Sequence, residues 1–162
     1  MTMPHEPGRM LIVDDNRVNR LLLTHALEQS GHYVSTAENG KIAMDMLREK
    51  PYDVILLDID MPVMNGFEVL EALLNDSELR DLPVVMTSAS DELDRVVKCI
   101  EMGAEGYLVK PLNPVLLRAR VNASLEKKRL RDQQRELFRT FATRPKWRNN
   151  SCARASRSAA NT

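Results

Sequence analysis

Five short apolar segments recur along the chain and predict β-strands. They cover residues 10–13, 33–37, 54–57, 84–87 and 107–109. The first and third segments are almost continuous Leu, Ile and Val, which is typical of strands that are covered on both faces. The pattern therefore predicts a sheet with buried central strands.

The segments between these strands have the apolar spacing of amphipathic helices. Glycine-containing pairs mark their ends: Ser30-Gly31 ends the first helix, Asn39-Gly40 begins the second, and Met102-Gly103 ends the fourth. The alternation is (βα)₅, and right-handed crossovers then place helices on both faces of a parallel sheet. The apolar stripes are Leu21, Leu22, Leu23, Ala26 and Leu27; Ile42, Ala43, Met46 and Leu47; and Leu93, Val96, Val97 and Ile100.

Length and composition limit the organisation of the chain. The 162 residues suffice for one ordinary domain and an appendage. No apolar run approaches the length of about 18 residues that a membrane span needs, and no signal-peptide pattern opens the chain. Cys99 and Cys152 lie far apart without metal-ligand spacing, so we interpret both as reduced thiols of a cytoplasmic protein.

The net charge of zero conceals two parts of opposite charge. Residues 1–113 contain 20 acidic and 10 basic side chains, whereas residues 114–162 contain 3 acidic and 13 basic ones. An acidic body suits a cation site. The basic remainder is typical of a solvated helix or of a segment that meets a partner.

Polar residues that could bind a ligand or take part in a reaction follow the predicted strands. In open parallel sheets, ligands bind beyond the carboxyl ends of the strands, so these residues should converge. Several like charges at one edge are costly without a cation among them, and hard oxygen donors favour Mg²⁺. Mg²⁺ beside an aspartate and a lysine indicates phosphoryl transfer. The residues are Asp14, Asp15, Asp58, Asp60, Thr87, Ser88 and Lys110.

Four sequence motifs resemble those of the CheY-like response-regulator receiver family. They are MLIVDDN at 10–16, DVILLDIDMPVMNG at 53–66, PVVMTSA at 83–89 and GAEGYLVKP at 103–111. The resemblance covers residues 8–125, which we take as the receiver domain. It implies a flavodoxin-like doubly wound α/β fold with strand order 2-1-3-4-5.

The resemblance also implies a phospho-acceptor site that uses Mg²⁺. Asp58 would accept a phosphoryl group from a histidine kinase or a phosphotransfer protein. Asp14, Asp15 and Asp58 would hold Mg²⁺ together with the backbone carbonyl of Asp60. Lys110 would contact a phosphoryl oxygen as a point charge.

A conformational switch is implied by the same resemblance. Ser88 would move to the phosphoryl oxygen, and the rotamer of Tyr107 would couple to it. The Lys110-Pro111 bond is expected to be cis. An acid at Asp60, and Ser90 two positions after Ser88, leave the lifetime of the phosphorylated state open.

Simpler interpretations of these residues remain open. Asp14 and Asp15 could only cap the next helix, and Asp58 could be a satisfied buried acid. Ser88 could be a turn hydroxyl and Tyr107 a packing residue. A receiver that folds without being phosphorylated usually lacks an acid or the lysine, and here none is missing.

The last helix is expected to begin at Asn113-Pro114 and to continue beyond the receiver. Leu116, Ala123, Leu130 and Leu137 are seven apart, which is half of a coiled-coil seam. Residues 124–142 resemble the signalling helix that joins a receiver to a class III nucleotide cyclase. We therefore expect an extended signalling helix at 126–142, and a homodimer through it or through the face of the fourth helix, fifth strand and fifth helix.

Residues 143–162 form a basic tail that we expect to be disordered. A shifted reading frame at 146–150 would give cyclase-like residues, so a truncated receiver–cyclase is one alternative. A basic arm that binds nucleic acid is another, although no helix-turn-helix of adequate length follows. We expect a signalling module that stands alone or regulates an output or partner, that is not an enzyme, and that has no nucleic-acid or membrane partner.

Overall fold

The computed structural model describes residues 7–142, and within them one sheet and five α-helices are formed. The strands are parallel and in the order β2-β1-β3-β4-β5, which confirms the predicted flavodoxin-like fold. The elements are β1 (Arg9–Val13), α1 (Arg17–Gln29), β2 (Tyr33–Ala37), α2 (Gly40–Glu49), β3 (Val54–Asp58), α3 (Gly66–Leu74), β4 (Val84–Ser88), α4 (Leu93–Glu101), β5 (Gly106–Val109) and α5 (Pro114–Ala142).

Two apolar layers cover the sheet, one on each face. Along β1, Leu11 and Val13 join the layer with α2 and α3, whereas Met10 and Ile12 join the layer with α1 and α5. This alternation follows from the two-residue period of a strand. Because both faces are covered, every residue of β3 is buried and the strand can end in a buried acid.

The helix boundaries come from side-chain caps and left-handed glycines. Asn39 caps α2 by accepting from the Ile42 amide, and Asn65 forms a capping box with Glu68 at α3. Gly31 and Gly103 follow the ends of α1 and α4 with φ of 88° and 100°, a region that glycine enters without steric cost. These are the turn residues from which the boundaries were predicted.

The apolar stripes of α1 and α4 are only partly buried. On α1, Leu23 and Leu27 are buried, but Leu21 and Leu22 are 60% and 64% exposed. Consecutive residues are separated by about 100° around a helix, so three adjacent leucines cannot all face one layer. Leu23 alone of the three lies on the inner face.

Helix α4 presents most of its predicted stripe to solvent. Leu93 is 73% exposed, Val97 43% and Ile100 50%, and the buried residue of this helix is Cys99. Helical spacing identifies an apolar face without indicating whether another layer covers it. The sequence therefore located the stripe without establishing whether it is buried.

The described residues divide into two units, 7–128 and 129–142. Helix α5 is a single helix of 29 residues, as expected from the extended apolar and charged pattern. In its final part, Leu130 and Leu137 are exposed. The predicted basic tail at 143–162 lies outside the described residues, as does Cys152. No helix among residues 7–142 has the length and hydropathy to span a membrane.

Candidate functional site

The acidic residues of β1 and β3 meet at the carboxyl edge of the sheet. Asp14 follows β1 directly, Asp58 is the last residue of β3, and the two strands pair in register through Val13 and Leu57. One carboxylate oxygen of each of Asp14, Asp15 and Asp58 lies within 4.8 Å of the others. The sequence-based prediction that these acids converge is therefore confirmed.

Burial differs among the three acids. Asp14 and Asp58 are 1% and 3% exposed, whereas Asp15 is open to solvent. Asp14 Oδ1 accepts the Asn16 amide at 2.8 Å, and the Asn16 side chain caps α1. Asn16 is therefore the helix cap, so capping alone does not account for the two acids.

The turn before α3 packs closely behind Asp58. The backbone amide of Gly66 donates to the Ile59 carbonyl at 2.9 Å. A Cβ atom on Gly66 would lie 2.5 Å from the Asp58 carbonyl oxygen and 2.7 Å from the Ile59 Cα. Only glycine allows the backbone after β3 to approach this closely, which fixes the position of the acid.

Lys110 supplies a positive charge to two of the acids. Its Nζ lies 2.8 Å from Asp14 Oδ2 and 3.2 Å from Asp58 Oδ2. The Lys110 amide donates to the Ser88 carbonyl at 2.8 Å, and the Lys110-Pro111 peptide bond is cis, as expected. The side chain thus reaches from the end of β5 to the ends of β1 and β3.

Burial dominates the electrostatics of Asp58. It raises the pKa of the carboxyl from 3.8 to about 6, with a further increase from Asp14 and an opposing decrease from Lys110. The pKa of Lys110 lies above its usual value of 10.5: burial opposes the shift, but the hydrogen bond to Asp14 and the charge of Asp58 outweigh it. Asp58 is thus mostly ionised at neutral pH, and its buried charge lowers the stability of the folded state.

The donor set fits a hard divalent cation. Three carboxylates within 4.8 Å offer oxygen atoms, and the exposure of Asp15 leaves one side open for water ligands. Mg²⁺ takes few protein carboxylates and retains several waters, which matches an edge site of this kind. The acidic group therefore suits Mg²⁺ better than a metal that prefers nitrogen or sulfur.

Ser88 lies at the rim of the acidic group and is fully buried. Its hydroxyl donates to Asp60 Oδ2 at 3.3 Å and accepts the Ser90 amide at 3.1 Å. The Tyr107 hydroxyl donates to the Ser90 carbonyl, and its ring packs against the core. The two predicted switch residues are thus connected through the loop after β4.

The Asp60 side chain has a partner that sequence reasoning missed. Asp60 Oδ1 lies 2.7 Å from Nη2 of Arg95, which belongs to α4. The sequence-based interpretation considered the Asp60 carbonyl as a metal ligand and its acid in relation to the lifetime of the phosphorylated state, and it assigned nothing to Arg95. No motif marks this pair, because the packing of α4 sets the distance between the two side chains.

Together these observations define a doubly wound α/β protein with a group of three acids and a lysine at the carboxyl edge of its sheet. The profile of the family described as "Response regulator receiver domain" matches residues 10–122. The chain belongs to this family.

Relatives of known sequence and structure agree with the assignment. The chain is 38% identical to Protein PilH of Pseudomonas aeruginosa over 118 residues, which cover 73% of this chain and 98% of that protein. It is 35% identical over 114 residues to the two-component response regulator ORR3 of rice, Oryza sativa, with 70% and 87% of the two chains covered. The structure of the chemotaxis response regulator CheY4 of Vibrio cholerae is similar at a TM-score of 0.70 and 32% identity, covering 74% of this chain and all of that one.

Proposed function

We propose that this receiver domain accepts a phosphoryl group on Asp58 and changes conformation in response. The observation that carries the proposal is the contact of Lys110 with Asp14 and Asp58 beside an open third acid, Asp15. A half-buried lysine and three convergent acids would suit a site where charge develops on phosphoryl oxygens during transfer. The phosphodonor would be a histidine kinase or a phosphotransfer protein.

Each residue of the site has a distinct part in this proposal. Asp14, Asp15 and Asp58 would hold Mg²⁺, with the Asp60 carbonyl as a further ligand, and the bound ion would neutralise charge on the phosphoryl oxygens. Asp58 attacks as a carboxylate, which its pKa of about 6 permits at neutral pH. The contacts of Lys110 with Asp14 and Asp58 support a role for its ammonium group in binding a phosphoryl oxygen.

Ser88 and Tyr107 are proposed to carry the change outward from the site. When the Ser88 hydroxyl turns towards a phosphoryl oxygen, it leaves Asp60, and the loop that Tyr107 contacts through Ser90 is then free to move. The phosphoryl group would shift the population between two arrangements of this loop. The chain would catalyse only the gain and loss of its own phosphoryl group and would not be an enzyme that acts on a separate substrate.

Intact mass after incubation with acetyl phosphate and Mg²⁺ tests the acceptor. We expect a phosphoryl adduct on the wild type that disappears when EDTA removes the divalent cation. The Asp58→Asn variant should show no adduct. The matched control is Asp45→Asn, which neutralises an exposed acid on α2 and should react like the wild type. An adduct of equal yield on Asp58→Asn would refute the assignment.

The output surface is proposed to include the face of α4 and β5. Leu93, Val97 and Ile100 of α4 and Val109 of β5 are between 42% and 73% exposed, which is unusual for large apolar side chains on one side of a domain. A homodimer through this face is the proposed phosphorylated state. Light scattering with and without beryllofluoride should report a dimer that Ile100→Ser abolishes, and a monomer in both conditions would refute it.

Helix α5 is proposed to act as a signalling helix after the receiver. Its continuity from Pro114 to Ala142 supports this role, as does the exposure of Leu130 and Leu137. The proposed output for this helix is a nucleotide cyclase of class III. Reading the gene in all frames beyond the codon for Thr162 tests this idea, and the absence of a cyclase-like frame would end it.

A further inference from the structure

The carboxylate of Asp60 connects the acceptor site to α4 through two different oxygen atoms. Oδ2 accepts the hydroxyl of the buried Ser88 at 3.3 Å. Oδ1 pairs with Nη2 of Arg95 at 2.7 Å. The backbone amide of Asp60 also donates a long hydrogen bond to Asp58 Oδ1, with 3.4 Å between the two atoms. Asp60 is thus an additional negative charge at the rim of a site that already contains three acids.

The Arg95 guanidinium pairs with Asp60 and lies near the ring of Phe67. Its Cζ is 6.0 Å from the centroid of that ring, which Nζ of Lys98 approaches more closely, at 4.1 Å. Asp60, through its hydrogen bond and charge, raises the pKa of Arg95, with smaller contributions from Tyr107 and Glu92. The side chain is only 28% exposed, although it belongs to a helix that faces solvent.

We propose that Arg95 is a positioning residue for phosphoryl transfer. It neutralises the charge of Asp60 and holds the Asp60 carboxylate in place, so that an anionic phosphodonor can approach Asp58. This inference rests on the proposed function. Arg95 touches neither the acceptor nor the donor in it. Its whole effect passes through Asp60.

The reaction itself explains why the charge of Asp60 matters. An oxygen of the Asp58 carboxylate forms a bond to the phosphorus of acetyl phosphate, and the bond from phosphorus to the acetate oxygen breaks. Acetate leaves with the electron pair, and no other reactant is required. An unpaired Asp60 would repel the incoming anion, and it would also hold more strongly the Ser88 hydroxyl that has to turn to the phosphoryl group.

Initial rates of phosphorylation at saturating Mg²⁺ test the proposal, with acetyl phosphate as the donor and quenched intact mass as the readout. We expect Arg95→Ala to slow the reaction by roughly two- to fivefold, the size expected for one partly exposed ion pair. Arg95→Lys should restore most of the rate. The loss should be smaller at high salt and smaller with phosphoramidate, a donor that carries less negative charge.

Asp60→Asn separates positioning from a merely structural role. In that background, Arg95→Ala should change the rate little, because the charge that Arg95 neutralises is gone. The Mg²⁺ affinity of Arg95→Ala, measured by calorimetry, should be unchanged or higher. General damage to the site would instead lower both the phosphorylation rate and the Mg²⁺ affinity. An equal slowing in both backgrounds, or with both donors, would overturn the inference.

The controls distinguish this inference from the proposed function. If the wild type takes no phosphoryl group from either donor, the acceptor proposal fails and the role of Arg95 fails with it. If the wild type is phosphorylated and Arg95→Ala reacts at the same rate, only the role of Arg95 is refuted.

Discussion

Replacing Asp58 with Asn should stabilise the protein at neutral pH and leave its stability almost unchanged in acid. Burial raises the pKa of Asp58 from 3.8 to about 6, so the folded state binds this proton more tightly than the unfolded state does. Between roughly pH 4 and pH 6, the free energy of unfolding therefore falls as the pH rises. Above pH 6 the cost of the buried charge is fully present, and below pH 4 it is absent.

The magnitude follows from the size of the shift. Each pKa unit corresponds to about 1.4 kcal/mol, so the charged Asp58 lowers the stability at pH 8 by about 3 kcal/mol. Asn has nearly the shape of the protonated acid and avoids this cost. The variant should gain about this amount at pH 8 without Mg²⁺ and almost nothing near pH 4.

Urea unfolding followed by far-UV circular dichroism, at a series of pH values in EDTA, measures the difference. All other titrating groups are common to both proteins, so their contributions largely cancel. Adding Mg²⁺ at about 100 times its Kd should stabilise the wild type by about 2.7 kcal/mol and have a much smaller effect on the variant.

The exposed Asp45→Asn exchange on α2 is the matched control, and it should change stability by less than about 0.5 kcal/mol. The reasoning is wrong if Asp58→Asn is less stable than the wild type at pH 8. It is also wrong if the difference between the two proteins does not depend on pH.

Three further substitutions test the surroundings of the site. Gly66→Ala should lower the free energy of unfolding in urea by several kcal/mol, because its Cβ would meet the backbone at the end of β3. In the control Gly8→Ala, the Cβ would meet only flexible side chains, so the loss should be smaller. Equal losses would contradict this. Val63 has φ of 70°, so Val63→Asn should raise the free energy of unfolding by about 0.5–1 kcal/mol, and a loss of stability would refute the strain. Lys110→Met removes the charge that opposes the pKa increase of Asp58, so an NMR titration should find the carboxyl pKa above 6; an unchanged value would exclude the ion pair.

The sequence predicted the sheet and the convergence of its acids for a topological reason. Buried strands are recognisable as apolar runs, and right-handed crossovers bring their carboxyl ends to one edge. The approach of Asp14, Asp15 and Asp58 then follows without knowledge of any distance. The cis bond before Pro111 and the order of the strands came from the family resemblance instead.

What the sequence did not predict depends on packing between elements. The pairing of Asp60 with Arg95 depends on where α4 lies against the sheet, and no spacing along the chain records that position. The exposure of Leu93, Val97 and Ile100 depends on the same packing, although the face of the fourth helix was already expected as a dimer surface. A helical period locates an apolar stripe, but its burial depends on the neighbouring elements.

Lys110 supplies, from within the chain, positive charge of the kind that a metal ion would bring to the acids. Its ammonium group lies on both buried acids, so the chain carries within itself part of the positive charge that these acids require. Because this charge belongs to the chain itself, we expect folding to depend less on a divalent ion than it would if no lysine contacted the two acids.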